Sequence, residues 1–500
     1  MSKDVAVAAG RGVLYIAVAK LYFMVAGYAI YFALPRLLGT EADWGNYLLV
    51  VGLVSVIDNF IVTGTIQGVS RFTAQAEGRA DAVRRAALRV QLFLGGGVAL
   101  LYFLAAPLLA QWEKDAGLTG LYRLSAGIVF FYAFYAVFVG SANGQRHFGK
   151  QASLDISFAT LRAIAILGFV AMGWGTLGAI GGFVSAAGLI LIVSVFWVGL
   201  PKKQDRFEAR KILRFTSELF VYTFILNMIM RVDLFLLKRL AVAFVEGVGV
   251  DAAKVASTYA AYYGTAQSLA FIPYQAILAV AFVIFPLISR STFKNDQNET
   301  RAYICQTLRL SLVFVAGVAV VFMAKPEAII RLLYPSQYAL GGSALRVLAA
   351  GMVSFSVFTI INTILNASGR TWQTIACGAL TLVCASTANS LLIPRANSLL
   401  DALNLAAWST AGSITLGLLF SVFLVYRAFG AAFVPLSLLR VVVAMAVAMI
   451  VGHFFPDGSK LATLAIAVVV FVVYFLVLIM LKEFDANDFA KIKRVVRRGK

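Results

Sequence analysis

Three bases and three acids stand inside runs of apolar residues long enough to cross a membrane: Lys20, Arg162 and Arg231, with Asp58, Asp155 and Asp233. Charge at such depth is costly and marks a protein interior or a water-filled cavity. A base there has two uses. It can hold an anionic group, such as a phosphate, through charge-assisted hydrogen bonds, or it can pair with an acid and fix helix packing. Lys20, Arg162 and Arg231 are therefore the candidate ligand-binding residues of a cavity. Asp58, Asp155 and Asp233 are candidate counter-ions or ion-coupling groups. From the helical rise, Lys20 in the first run and Asp58 in the second reach similar depth, which puts them at a level where they could pair. Asp155 lies two turns from Arg162 on one face of the fifth run, and Arg231 and Asp233 fall in the outer half of the seventh. Pro273 and Pro286, in the eighth, are hinge candidates, because an internal proline removes a backbone hydrogen bond and kinks a helix.

Other chemistry is excluded by what the chain does not combine. It has no phosphate-binding loop of the G-x-x-x-x-G-K-[ST] type. Gly173-x-Gly175-x-x-Gly178 has dinucleotide-fingerprint spacing but sits between two apolar runs, which makes it the turn of a helical hairpin. His147 and His453 fall near opposite ends of the membrane-crossing runs, and neither has a nucleophile or carboxylate to work with. Cys305, Cys377 and Cys384 lack metal-ligand spacing. The expectation is no enzyme, no catalytic residue, no metal and no cofactor. Gly78-x-x-Asp81-x-x-Arg84-Arg85 reads as a solvated charge run. Tyr15, Tyr22, Tyr28, Tyr31, Tyr259, Tyr262, Tyr263 and Tyr274 could stack on sugars or simply pack, and Asn227, Asn362 and Asn366 could line a polar interior.

The elements that position these groups are long apolar helices. Of 500 residues, 61% are hydrophobic and 13% charged, about half the charge of an ordinary soluble chain. A span takes about 20 apolar residues. Fourteen runs qualify: 12–34, 44–65, 86–110, 121–142, 151–173, 176–199, 214–238, 262–288, 303–325, 343–366, 371–393, 403–426, 433–455 and 460–482. The first is too long, and lacks the small-residue site, for a cleaved signal. The net charge of +20 is distributed by topology and implies no nucleic-acid partner. With both ends on one side, 28 of the 43 Lys and Arg fall on that side, 11 on the other and four within runs. The rule that positive charge stays inside then places both termini in the cytoplasm. The basic tail 483–500 suits the anionic lipid of the inner leaflet.

Two halves of the chain echo each other. Gly45 precedes Ser70-Arg71 by 25 residues, and Gly264 precedes Ser289-Arg290 by 25. Leu88-Arg89 answers Leu308-Arg309, Gly97-Val98-Ala99 answers Gly317-Val318-Ala319, and Asn143-Gly144 answers Ser368-Gly369. Such an ordered series indicates a duplicated unit. The expected architecture is an all-α polytopic membrane protein of fourteen helices. A first lobe of six covers 1–200, a basic cytoplasmic linker 201–214, and a second lobe of six 215–427. Two trailing helices occupy 428–482, ahead of the tail. An even number of helices per lobe makes the repeat parallel.

The stretch Arg36-Leu37-Leu38-Gly39, followed by Glu41, Asp43, Trp44-Gly45 and Ser70-Arg71, resembles the start of the bacterial polysaccharide-export flippases, relatives of the lipid II flippases and of the MATE exporters. The segment 271–290, with Pro273, Pro286 and Ser289-Arg290, is similar to that superfamily's eighth helix. The resemblance implies a MATE-like fold whose central cavity is walled by helices one, two, seven and eight. It also implies transfer of a polyprenyl-diphosphate-linked oligosaccharide across the bacterial inner membrane, for O-antigen, capsule or exopolysaccharide synthesis, with a polysaccharide polymerase as a further partner. Lipid II flipping and ion-coupled drug export are its alternatives, the last disfavoured by a basic interior.

Overall fold

The computed structural model describes residues 3–484 except 77, 203–205, 247–250, 276, 278–283, 285–287, 290, 293–296, 432–434 and 457, and describes side chains from Leu14 onward, those of 218 and 219 apart. Pro286 and the tail beyond 484 lie outside the described residues. Helices dominate, and no strand occurs among the described residues. In hydrocarbon each backbone N–H and C=O must be satisfied internally, and a helix does this within one segment. Among the described residues twelve helical segments are long and apolar enough to cross a membrane, and one of them, Phe148–Val198, contains two crossings. They match thirteen of the expected runs. The other, 262–288, falls largely outside the described residues. The chain forms two compact units, Met1–Ala261 and Tyr262–Lys500.

The first unit contains α1 (Lys3–Leu37), α2 (Glu41–Gln75), α3 (Ala80–Trp112), α4 (Leu118–Gly144), α5 (Phe148–Phe169), α6 (Gly175–Val198), α7 (Ala209–Ile229), α8 (Val232–Ala241) and the start of α9 (Ala252–Ala270). α2 packs on α4 and α7, α3 on α4, and α1 lies along α5. The hairpin between α5 and α6 reverses at Gly173 (φ +87°) and Gly175 (φ +53°), left-handed backbone that a β-carbon would strain. The acidic turn before α2 is a capping device. Thr40 Oγ1 accepts the Asp43 N–H at 3.2 Å, and Thr176 at the start of α6 donates to Asp43 Oδ1 at 3.1 Å. One carboxylate thus stabilises a positive helix end and joins two elements. Trp44 is fully buried, edge-on to Tyr31 and stacked on Tyr47.

The second unit contains α10 (Gln297–Ala324), α11 (Pro326–Leu333), α12 (Gly342–Ala367), α13 (Thr371–Leu392), α14 (Leu399–Phe429), α15 (Pro435–Phe454) and α16 (Lys460–Met480). α12 packs on α10 and α14, α13 on α14, and α15 and α16 pack on each other and on α10. Buried Tyr474 donates to the Val313 carbonyl at 2.8 Å, which fixes α16 against α10. α9 stops at Ala270, Phe271 is a turn, and Pro273 lies within the short helical stretch that follows. The turn lies two residues before the Pro273 hinge candidate, which has no N–H to give to the chain's hydrogen bonding.

Candidate functional site

Lys20 and Arg162 are brought together, though not with the partners expected. α1 runs along α5 and barely touches α2, so Lys20 cannot use Asp58. Its ammonium stands 3.0 Å from Asp155 Oδ2 instead, and the pair is lopsided: the Lys20 side chain is 57% exposed, that of Asp155 7%. Both bases approach the phenyl ring of Phe23, with Lys20 Nζ 5.9 Å and the Arg162 guanidinium 4.7 Å from its centroid. Arg162 also lies over Phe183 at 5.4 Å. Its terminal nitrogen would be 3.3 Å from a β-carbon at Gly27, so that glycine makes room for the guanidinium. Among the described residues no carboxylate comes within ion-pairing distance of Arg162, and its buried Nε has no hydrogen-bond partner. Aromatic faces attract a desolvated guanidinium by about 2 kcal/mol, but they leave its N–H groups unused. Tyr22 and Thr160 complete the α1–α5 face with a hydroxyl–hydroxyl bond of 2.9 Å.

Asp155 therefore serves as counter-ion to Lys20 and not to Arg162. Asp58 has no counter-ion among the described residues. It is buried on α2, its Oδ1 has no partner, and no base pairs with it among the described residues. A buried carboxylate without a partner is the kind of group that takes up an ion or a proton.

Arg231 stands in a break. The seventh crossing ends at Ile229 and resumes at Val232, with Arg231 (φ −137°, ψ −21°) between them. Sequence reading expects one unbroken helix there. The break leaves the first N–H groups of α8 without intrahelical acceptors, and buried Asp233 answers one through Oδ1, which accepts the Leu234 N–H at 2.8 Å. The Arg231 stem packs beside Gly52 of α2, its Cδ 3.7 Å from a β-carbon placed there. Discontinuous helices of this kind are tolerated where protein surrounds them, and in transporters they border binding sites. One turn earlier, Asn59 of α2 donates to Asn227 Oδ1 at 2.7 Å.

Three charged clusters escape the sequence reading. Lys238, the last residue of the seventh run and not among the bases singled out from the sequence, is fully buried beside Asp115 and Glu113. Arg84, read as part of a solvated run, is buried too. It pairs with Asp81, and its NH1 donates to the Val198 carbonyl at 3.2 Å, which caps the C-terminal end of α6. Arg309, which answers Arg89 in the repeat, holds buried Glu483 (Nε–Oε1 2.8 Å), and Arg440 holds the other oxygen at 3.2 Å. Arg89 is exposed. Only a signal linking residues 174 positions apart would have found the Glu483 clamp. Of the tyrosines, Tyr31, Tyr262 and Tyr274 pack on other rings, and Tyr263 is fully buried.

Two helical units, a broken seventh crossing and bases set in the spans define a multi-pass membrane protein with a transporter architecture. The family model of a polysaccharide biosynthesis protein matches residues 33–340, and the chain belongs to that family. Among solved structures the fold is similar to a lipid II flippase MurJ in an inward closed conformation. The TM-score is 0.72 at 14% identity, over 94% of this chain and 99% of that one. It is also similar to an outward-facing multidrug resistance MATE family transporter of the MOP superfamily, with TM-score 0.60, 15% identity, and 83% and 96% of the two chains covered. A MOP superfamily transporter from Pyrococcus furiosus matches at TM-score 0.61 and 15% identity, over 84% and 96%. The curated proteins give no match to the sequence. The fold is that of the MOP superfamily.

Proposed function

We propose that this protein moves a polyprenyl-diphosphate-linked oligosaccharide from the inner to the outer leaflet of the bacterial cytoplasmic membrane, by alternating access, for surface polysaccharide synthesis. The observation that carries this reading is Arg162. A guanidinium set in a membrane-crossing helix, with no carboxylate partner among the described residues, suits an anionic cargo. Lys20, on the same ring, adds a second donor. Together they match a diphosphate, which accepts several charge-assisted hydrogen bonds. Family membership supports a polysaccharide cargo. Lipid II presents the same diphosphate, and the fold likeness to a lipid II flippase favours it as the second reading.

The test is flipping of fluorescent polyprenyl-diphosphate glycan by purified protein in proteoliposomes, with lipid II as the competing cargo. Arg162→Ala is expected to lower the rate at least tenfold with normal insertion. Arg162→Lys should keep part of it, since a lysine meets phosphate as a point charge without the forked geometry. Full flipping by Arg162→Ala would refute the assignment.

A further inference from the structure

Away from Lys20 and Arg162, a second charged cluster sits at the opposite end of the same unit from the Arg84 cap, the end that the positive-inside count assigns to the outer face. Lys238 on α8 is its centre. The ammonium has three donors, and all three are engaged: Asp115 Oδ2 at 3.1 Å, Ser257 Oγ at 2.7 Å, and the Ala253 carbonyl. Ser257 in turn lies 2.7 Å from Asn46 Oδ1 on α2. Beside that bond the helices touch backbone to backbone, for a β-carbon at Gly45 would lie 1.9 Å from the Ser257 carbonyl oxygen. Lys114 to Glu246 at 3.0 Å and Arg239 over Trp112 at 4.8 Å reinforce the seam from outside.

Within this seam Lys238 and Asp115 already balance in charge. Glu113, between α3 and α4, is surplus. Its side chain is buried, and its Oε2 has no hydrogen-bond partner. It is faced by Tyr102 from α3, Tyr122 from α4, Asp115 from its own loop, and Lys238 from α8, with Asp251 near Lys238 ahead of α9, while Lys114 points away to Glu246. An ammonium whose donors are spent gives a second buried carboxylate no hydrogen bond, only a through-space attraction that burial outweighs.

We propose that Glu113, Lys238 and Asp115 form a proton-binding latch that holds α8 and α9 against α2 and the 113–117 loop. With the seam closed and the pH below about 7, Glu113 is a neutral acid. When the seam opens, water reaches the carboxyl, its O–H bond breaks, and the proton passes to solvent. Burial supports this by pushing the Glu113 carboxyl up to about 7, against the opposing pull of Tyr122 and Lys238. An exposed glutamate stays near 4.3. The closed form is the one with the raised value, so protonation favours closure. That preference is complete below about pH 4.3 and is lost as pH rises through about 7. Between pH 5.5 and pH 8 the closed-to-open ratio should fall about 30-fold. The latch rests on the alternating-access reading, because only a protein that opens this seam in its cycle needs to hold it shut.

The experiment places spin labels at Gly120→Cys on α4, where a side chain meets open space, and at exposed Lys254→Cys on α9. Cys305, Cys377 and Cys384 are replaced by serine. Pulsed electron paramagnetic resonance then reads the distance in full-length protein in lipid vesicles at pH 5.5 and pH 8. The short-distance population should dominate at pH 5.5 and decline at pH 8. Glu113→Gln should hold it short at both. Asp115→Asn keeps Glu113 but leaves it the nearest carboxylate to Lys238, so the midpoint should move to lower pH, a shift that a merely structural role would not produce. A pH-independent distance in the Glu113 protein, or unchanged pH dependence in Glu113→Gln, overturns the latch. Cargo flipping in the same vesicles separates the two readings. Flipping with a pH-independent seam sinks the latch alone, whereas a seam that answers pH as described, without flipping, supports the latch and sinks the transport reading.

Discussion

The Lys20–Asp155 pair separates cargo binding from structural pairing, because its two ends differ in exposure. At 3.0 Å, with Asp155 7% and Lys20 57% exposed, the two deletions cannot cost the same. Lys20→Met strands a buried carboxylate. Breaking a fully buried pair costs about 3–5 kcal/mol, and the half-exposed lysine reduces this to about 2–3 kcal/mol. Asp155→Asn leaves an ammonium that water can reach, at about 1 kcal/mol or less. The double variant Lys20→Met plus Asp155→Asn strands nothing and should melt close to the parent. The assay is thermal unfolding in detergent alongside flipping in vesicles. If Lys20 exists to neutralise Asp155, the double variant flips normally. If it holds diphosphate, the double variant is stable and inactive, and this second outcome is the one expected. Equal destabilisation by the two single changes would refute the burial argument, and full flipping by the double variant would refute the cargo role.

The Glu483 clamp predicts a difference between two residues that the repeat equates. Arg309→Lys loses one of the two contacts that Arg309 makes with Glu483 and should lower stability by about 1–3 kcal/mol, read as a depressed melting point, while Arg89→Lys should be silent. Reporter fusions after Gln204 and after Arg498 should both signal cytoplasm and one at Asp115 the outside; an external signal at Gln204 would overturn the topology derived from the 28-to-11 charge count.

Length and apolarity made the helices readable, because the membrane admits so few backbone solutions. The Gly173–Gly175 hairpin was readable for the same reason: two adjacent apolar runs, with two glycines between them to accept left-handed backbone. The interruption of the seventh crossing was not. Met230 and Arg231 carry no proline or glycine to announce a break, and the hydropathy around them is continuous. What sustains the break is tertiary, with α2 packed on α7 and Gly52 leaving space for the Arg231 stem.

The charges show where sequence reasoning stops. Helical depth picks out residues at one level of the bilayer, but it does not say which helices are neighbours. Lys20 and Asp58 share a level on consecutive helices, yet α1 lies on α5, and the ion pair goes to Asp155. Arg89 and Arg309 occupy matching repeat positions, yet one is exposed and the other grips Glu483. Duplication copies a backbone position, and the partner decides the chemistry. The same holds for Lys238, whose run of neighbours reads as the end of a span. It becomes a buried ammonium because Asp115, Ser257 and Ala253 meet it from elements that sequence keeps apart. In an apolar chain, then, the charged residues that matter most are those whose partners come from far along the sequence. Water cannot solvate them there, and each must find an ion, a hydrogen bond or a proton within the fold.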